Sequence, residues 1–149
     1  MNITIIAVGK IKRKTAQELV EEFISRIVHY AKIEIVELRD SDPAQEGKQM
    51  LEKIEKSKNP VFVIALSEEG KHLSSQEFAE KLNKISVSMN KDIALLIGGP
   101  FGLSEEVKKK ADLLLSLSKM TFPHEMCRVF LAEQIYRAMT IIKGEKYHK

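Results

Sequence analysis

An α/β domain is expected, with a mostly parallel five-stranded sheet and helices on both faces. Short apolar runs rich in β-branched residues alternate with stretches whose apolar residues recur at helical spacing. The run from Ile93 to Ile97 is wholly apolar, the mark of a strand buried on both faces. The connections between these elements are short, and no repeat, linker or low-complexity stretch interrupts them, so residues 1–149 read as one domain.

The first strand covers residues 1–8 and ends at Gly9. Thr15 and Glu18 have capping-box spacing. Ala16, Leu19, Val20, Phe23, Ile24 and Ile27 then mark an amphipathic helix over 15–30. Residues 33–38 are strand-like, and Asp42 and Pro43 suit N-cap and N1 of a second helix. Its inward stripe is Gly47, Met50, Leu51 and Ile54. Asn59-Pro60 ends that unit, and residues 61–66 form a third strand closed by Ser67-Glu68-Glu69-Gly70. Ser74 and Glu77 form another capping box, followed by Phe78, Ala79, Leu82 and Ile85.

The fourth strand delivers Gly98, Gly99, Pro100 and Gly102, then Ser104 as N-cap of a short helix over 104–111. Residues 113–117 make the fifth strand. Pro123 opens a last helix to about residue 143, where Gly144 is placed to stop it.

With 44% hydrophobic and 30% charged residues, the chain has the balance of a globular protein. No apolar run is long enough to span a bilayer, and residues 3–8 lack a basic leader and a cleavage site, so a cytoplasmic location is expected. The single cysteine, Cys127, excludes an internal disulfide. The four histidines are scattered, and no metal is expected. The net charge of +3 permits an RNA partner without demanding one. Its cations cluster at residues 10–14, at Lys108-Lys109-Lys110 and near the C-terminus, where each cluster also reads as a solvated face.

Two stretches could bind a ligand. A buried strand that ends in the bare turn 98–102 places backbone, without side chains, at the sheet edge where open α/β sheets bind ligands. The glycines match neither the dinucleotide fingerprint nor the P-loop, and the turn also suits an ordinary strand–helix connection. In residues 116–122, Ser116, Ser118 and Thr121 intersperse with Leu117, Met120 and Phe122, and Pro123 holds Phe122 extended. Its backbone groups cannot all join a ladder and could bond a ligand, although a plain crossing of the sheet end fits the spacing equally. His124 and Cys127 share a helix face, but no third residue orients them as a nucleophilic pair. The last helix has apolar positions beyond one stripe, which suits either full burial or a second subunit. The tail, residues 145–149, has no apolar anchor, so disorder is its default, yet Tyr147 and His148 offer a stacking ring and an imidazole.

The opening Met-Asn-Ile-Thr-Ile-Ile-Ala-Val-Gly-Lys-Ile-Lys, the central Leu-Leu-Ile-Gly-Gly-Pro-x-Gly-Leu, the later Leu-Ser-Leu-Ser-Lys-Met-Thr-Phe-Pro-His and the closing Gly-Glu-x-Tyr-His-Lys together resemble one family. It is that of the RlmH-type 23S rRNA pseudouridine N3-methyltransferases, of the SPOUT class. The resemblance implies a SPOUT-type α/β trefoil knot in the C-terminal part and a homodimer. It implies S-adenosylmethionine as methyl donor, with contacts at Leu66, Gly98, Leu117, Ser118, Lys119, Met120, Thr121 and Phe122. It places Tyr147 and His148 at the target base, with His124 and Arg128 flanking. Phe101 stands where a polar or small residue is expected. The implied substrate is ribosomal RNA within assembled ribosomal particles. Other rRNA or tRNA positions, a non-catalytic ribosome-binding module and a flavodoxin-like ligand domain are the competing readings.

Overall fold

The computed structural model describes residues 1–148. Five strands form one sheet: β1 (Asn2–Val8), β2 (Lys32–Leu38), β3 (Val61–His72), β4 (Asp92–Ile97) and β5 (Leu113–Ser116). Their order is β2-β1-β4-β3-β5, and every neighbouring pair is parallel. Parallel neighbours need crossovers, and four α-helices supply them, α1 (Lys14–Ile27), α2 (Pro43–Glu55), α3 (Ser75–Asn83) and α4 (Glu105–Lys110), while a fifth, α5 (His124–Ile142), follows the last strand.

Strand side chains alternate between two cores. Ile3, Ile5, Ile64, Ile93 and Leu95 meet α1, α3 and α5 through Ile27, Phe78, Leu82, Leu131 and Ile135. Ile6, Val8, Val63, Ala65, Ala94 and Leu96 meet α2 and α4 through Met50, Leu51 and Val107. The central strands are therefore covered on both faces, as their unbroken apolar runs require.

The expected caps are present at three helices. Asp42 accepts from Gln45 N (2.9 Å) with Pro43 at N1, Ser74 and Glu77 form a reciprocal capping box, and Ser104 accepts from Val107 N (3.3 Å). At α1 the expectation fails: the helix starts at Lys14, and its N-cap Arg13 makes no side-chain bond. The chain entering this helix is held by another element instead, since Glu125 of α5 accepts the amide of Lys12 at 2.6 Å. α3 also continues into a π-helical turn, Lys84–Ser88, which the apolar spacing does not signal.

The third strand does not stop at Leu66. It arches over residues 67–70 and pairs again, so that Leu115 of β5 faces both Leu66 and Lys71. Gly70 presses on the backbone beneath it: a Cβ there would lie 2.7 Å from backbone atoms of Leu114 and Leu115. Thus residues 67–70 loop out of β3 where it pairs with β5, and the backbones of the two strands touch at Gly70.

α5 lies between α1 and α3 on the sheet, and this accounts for most of its apolar surface. Phe130 alone among its large apolar side chains is exposed, edge-to-face with Phe122 at 5.0 Å between ring centroids. The tail is ordered as far as it is described. Tyr147 packs edge-on against Tyr136 (4.7 Å), with Arg137 over its ring (4.8 Å), so the aromatic ring itself is the anchor.

Candidate functional site

Three chain reversals meet at the C-terminal edge of the sheet: the arch after the straight part of β3, the turn after β4 and the segment after β5. They wall one crevice of about 780 Å³ together with Pro123, His124 and Cys127 from the start of α5. That volume is in the range of clefts that hold a small organic ligand.

The β4 turn is shaped by its own backbone. Gly102 N donates to Gly99 O (2.9 Å), and Gly102 takes φ +76. A Cβ at Gly98 would sit 2.6 Å from the carbonyl carbon of Gly102, so only glycine lets the turn fold back this tightly. A larger residue at 98 would therefore distort the turn itself, not merely fill the crevice.

Hydroxyl groups shape the β5 segment. Ser116 Oγ donates to Ser118 O (2.8 Å), and Ser118 Oγ accepts from Met120 N (3.0 Å). Thr121 Oγ1 donates to Glu68 Oε2 (3.3 Å), tying the segment to the arch. Among the described residues, the amides of Thr121 and Phe122 find no acceptor within the chain and are free to bond a ligand.

Of the residues singled out from the sequence, Leu66, Gly98, Leu117, Ser118, Met120, Thr121, Phe122 and His124 line the crevice, and Lys119 does not. Arg128 does not reach it either. Its side chain is 1% exposed, and its guanidinium donates to Val8 O (2.7 Å) and Gly9 O, with Glu37 Oε1 at 3.4 Å. Burial lowers its pKa, and Glu37, Glu125 and Asp40 oppose that shift. Tyr147 and His148 pack against α5: Tyr147 OH donates to Glu133 Oε1 (3.2 Å), and His148 Nδ1 is 3.3 Å from Arg137 Nη1. Glu133 borders a smaller cleft of about 420 Å³, which shares Leu115, Ser116, Leu117 and Phe122 with the crevice. The tail thus sits beside the crevice, across the β5 segment.

Some crevice groups escape a reading of the sequence. Lys108, part of an apparently solvated basic run, bonds Glu69 Oε1 at 2.6 Å on the rim. That hydrogen bond raises the Lys108 pKa and lowers that of Glu69. No spacing in the chain relates the two. Burial pushes the Cys127 thiol up, away from the thiolate a nucleophile needs. Among the described residues, no group of three His, Cys, Asp or Glu side chains could hold a metal ion, and no helix is long and apolar enough to cross a membrane.

Residues 1–148 match the family described as "Predicted SPOUT methyltransferase". The chain is 46% identical to the ribosomal RNA large subunit methyltransferase H of Alkaliphilus oremlandii, and 46% identical to that of Clostridium beijerinckii, covering 100% of both chains in each case. Among solved structures it resembles a probable methylase family protein from Haemophilus influenzae, with TM-score 0.57 and 15% identity, over 99% of this chain and 70% of the other. It also resembles the SpoU methyltransferase AviRb from Streptomyces viridochromogenes, solved with the cofactor AdoMet, with TM-score 0.54 and 12% identity, over 97% of this chain and 59% of the other. At these identities the structural likeness concerns the fold.

Proposed function

This chain belongs to the SPOUT methyltransferase family, and on that premise we propose that it methylates N3 of a pseudouridine in large-subunit ribosomal RNA. S-adenosylmethionine is the donor, and assembled ribosomal particles are the substrate. We place the enzyme in the cytoplasm as a homodimer. The observation that carries this reading is the meeting of the three reversals at one crevice. Full-length relatives named as rRNA large subunit methyltransferases support the substrate class.

The crevice fits such a donor. Leu66, Leu117, Met120 and Phe122 can cover a flat apolar ring. The glycine turn brings bare backbone to the wall, and the amides of Thr121 and Phe122 are available to polar atoms. When bound, the donor supplies an electrophilic methyl carbon on a sulfonium. Leu66, Gly98, Leu117, Ser118, Met120, Thr121 and Phe122 would hold and orient it, while Lys119, expected among these contacts, lies on the same segment without lining the crevice. Because the reaction is an in-line displacement, orientation contributes most of the acceleration.

On the acceptor side, Tyr147 stacks on the target base and His148 takes the proton from N3. His124 stands at the mouth and bonds the base edge. Since the tail of a single chain rests beside its own crevice, these two residues leave α5 or serve the crevice of a second copy. Arg128, expected as a polar group flanking the base, ties the N-terminal part of α5 to the carbonyls of Val8 and Gly9.

The test combines two measurements. Mass spectrometry of rRNA from a deletion strain is expected to show one missing methyl group on a large-subunit pseudouridine. The purified protein with the donor restores it on particles lacking the mark. Loss of a methyl from a tRNA or from another rRNA base would overturn the substrate, and absence of donor binding in calorimetry would overturn the enzyme.

A further inference from the structure

Lys10, Lys12, Arg13 and Lys14 are all exposed, in or just after the connection that follows β1. β1 pairs with β4 through Ala7 and Ile97, which sets this connection next to the turn 98–102. A Cβ at Gly99 would touch Val8 Cγ1 at 3.1 Å. At the tip of that turn Phe101 borders the crevice and is 85% exposed. The connection that carries the cations and the turn that carries the ring thus leave neighbouring strands at the same edge of the sheet.

The connection is held in place. Glu125 accepts from Lys12 N (2.6 Å), and Arg128 donates to the carbonyls of Val8 and Gly9. Glu125 commits its carboxylate to backbone amides, and its side chain is buried. Among the described residues, Lys10, Lys12 and Arg13 make no ion pair, and Lys14 meets Glu18 only at 3.9 Å in solvent.

A lone exposed apolar side chain is ordinary. A phenyl ring at a ligand crevice, with exposed cations on the neighbouring connection whose backbone is held in place, has the chemistry of single-stranded RNA recognition. Cations take phosphates, and the ring takes a base. We infer that the β1–α1 connection and Phe101 form a docking surface for the single-stranded rRNA flanking the target nucleotide. Lys10, Lys12 and Arg13 bind its phosphates and Phe101 stacks on one of its bases. This inference rests on the proposed rRNA substrate.

The experiment measures binding of the full chain to large ribosomal subunits by sedimentation across a salt series. Combined Lys10→Ala, Lys12→Ala and Arg13→Ala is expected to weaken binding about tenfold or more and to lower the log–log salt slope by about 2, from roughly 0.7 per phosphate contact. Its affinity for S-adenosylmethionine stays within about twofold of wild type, which shows that the fold is kept. Lys10→Arg with Lys12→Arg retains wild-type binding. Phe101→Ala weakens binding roughly fivefold to a hundredfold with the salt slope unchanged, and Phe101→Trp retains it. A triple variant with wild-type affinity and slope would overturn the phosphate contacts. A Phe101→Ala protein that changes oligomeric state yet binds particles normally would make the ring a subunit contact and overturn its stacking. A wild type that binds particles but transfers no methyl group would defeat the enzymatic reading and leave this surface standing.

Discussion

Arg128 has a structural role that its residue type does not announce. In the sequence it is a cation near a polar segment, and the family resemblance sets it at the active site. In the fold it is a buried cross-link whose partners are backbone carbonyls about 120 positions earlier in the chain, at Val8 and Gly9. Carbonyls leave no mark in a sequence, so this role could not be read there. Arg128→Met keeps the volume but leaves both carbonyls without their donor and Glu37 without its cation. The expected loss is about 3 kcal/mol, within the range for breaking a buried pair of this kind. Urea unfolding measures it, and the donor affinity of the folded variant is expected to stay near wild type. Unchanged stability together with abolished methyl transfer would return Arg128 to the chemistry. Gly98 teaches the opposite lesson. Its bareness was visible at once, but the reason for it is the approach of Gly102 within its own turn, which only the folded backbone reveals.

Among the elements, the helix starts at Asp42, Ser74 and Ser104 were readable because each cap lies within four residues of what it caps. The start of α1 was not, because no side chain caps it locally and the chain entering it is held from α5. Glu125 accepts from the amide of Lys12 and also interacts with that of Arg13, and these bonds hold its pKa below the usual carboxylate value. A lowered folded value means that the ionised form is the one the fold favours. The stabilisation is therefore present above the unfolded value near 4.5 and is lost as pH falls through the lower folded value. Acidification should release the β1–α1 connection from α5. The Lys12 amide proton, followed by NMR, is expected to titrate with a midpoint below 4.5, and Glu125→Gln to abolish that titration while leaving the amide bonded. A midpoint at or above the ordinary value would mean that the carboxylate does not hold the connection. The arch of β3 was hidden for a related reason. Gly70 looked like the end of a strand, while its function is to let one strand lie against the backbone of another that follows more than forty residues later.

The parallel sheet, its two apolar faces and the crevice at its C-terminal edge follow from periodicity and turn chemistry, which act locally and are written locally. The arrangement of the tail depends on contacts between chain ends, and a sequence does not order such contacts. Tyr30 OH donates to Glu145 Oε2 at 2.6 Å, and this bond raises the Tyr30 pKa to about 12. A raised folded value means that the bond is fully present below the unfolded value near 10 and is lost only as pH climbs through about 12. At neutral pH, then, deprotonation of Tyr30 cannot free the tail, and a competing contact must displace it. Truncation after Gly144 removes Glu145, Tyr147 and His148 but none of the buried core, so the shortened protein is expected to fold and to bind S-adenosylmethionine with wild-type affinity. It should also keep its oligomeric state, since the tail adds no buried apolar face. Methyl transfer to ribosomal particles should drop at least about a hundredfold, as expected when a general base and a positioning group are lost together. Calorimetry, sedimentation and a labelled-donor assay on one preparation separate these outcomes. Full transfer activity in the truncated chain would remove Tyr147 and His148 from the reaction and leave the proton on N3 to His124 or to solvent.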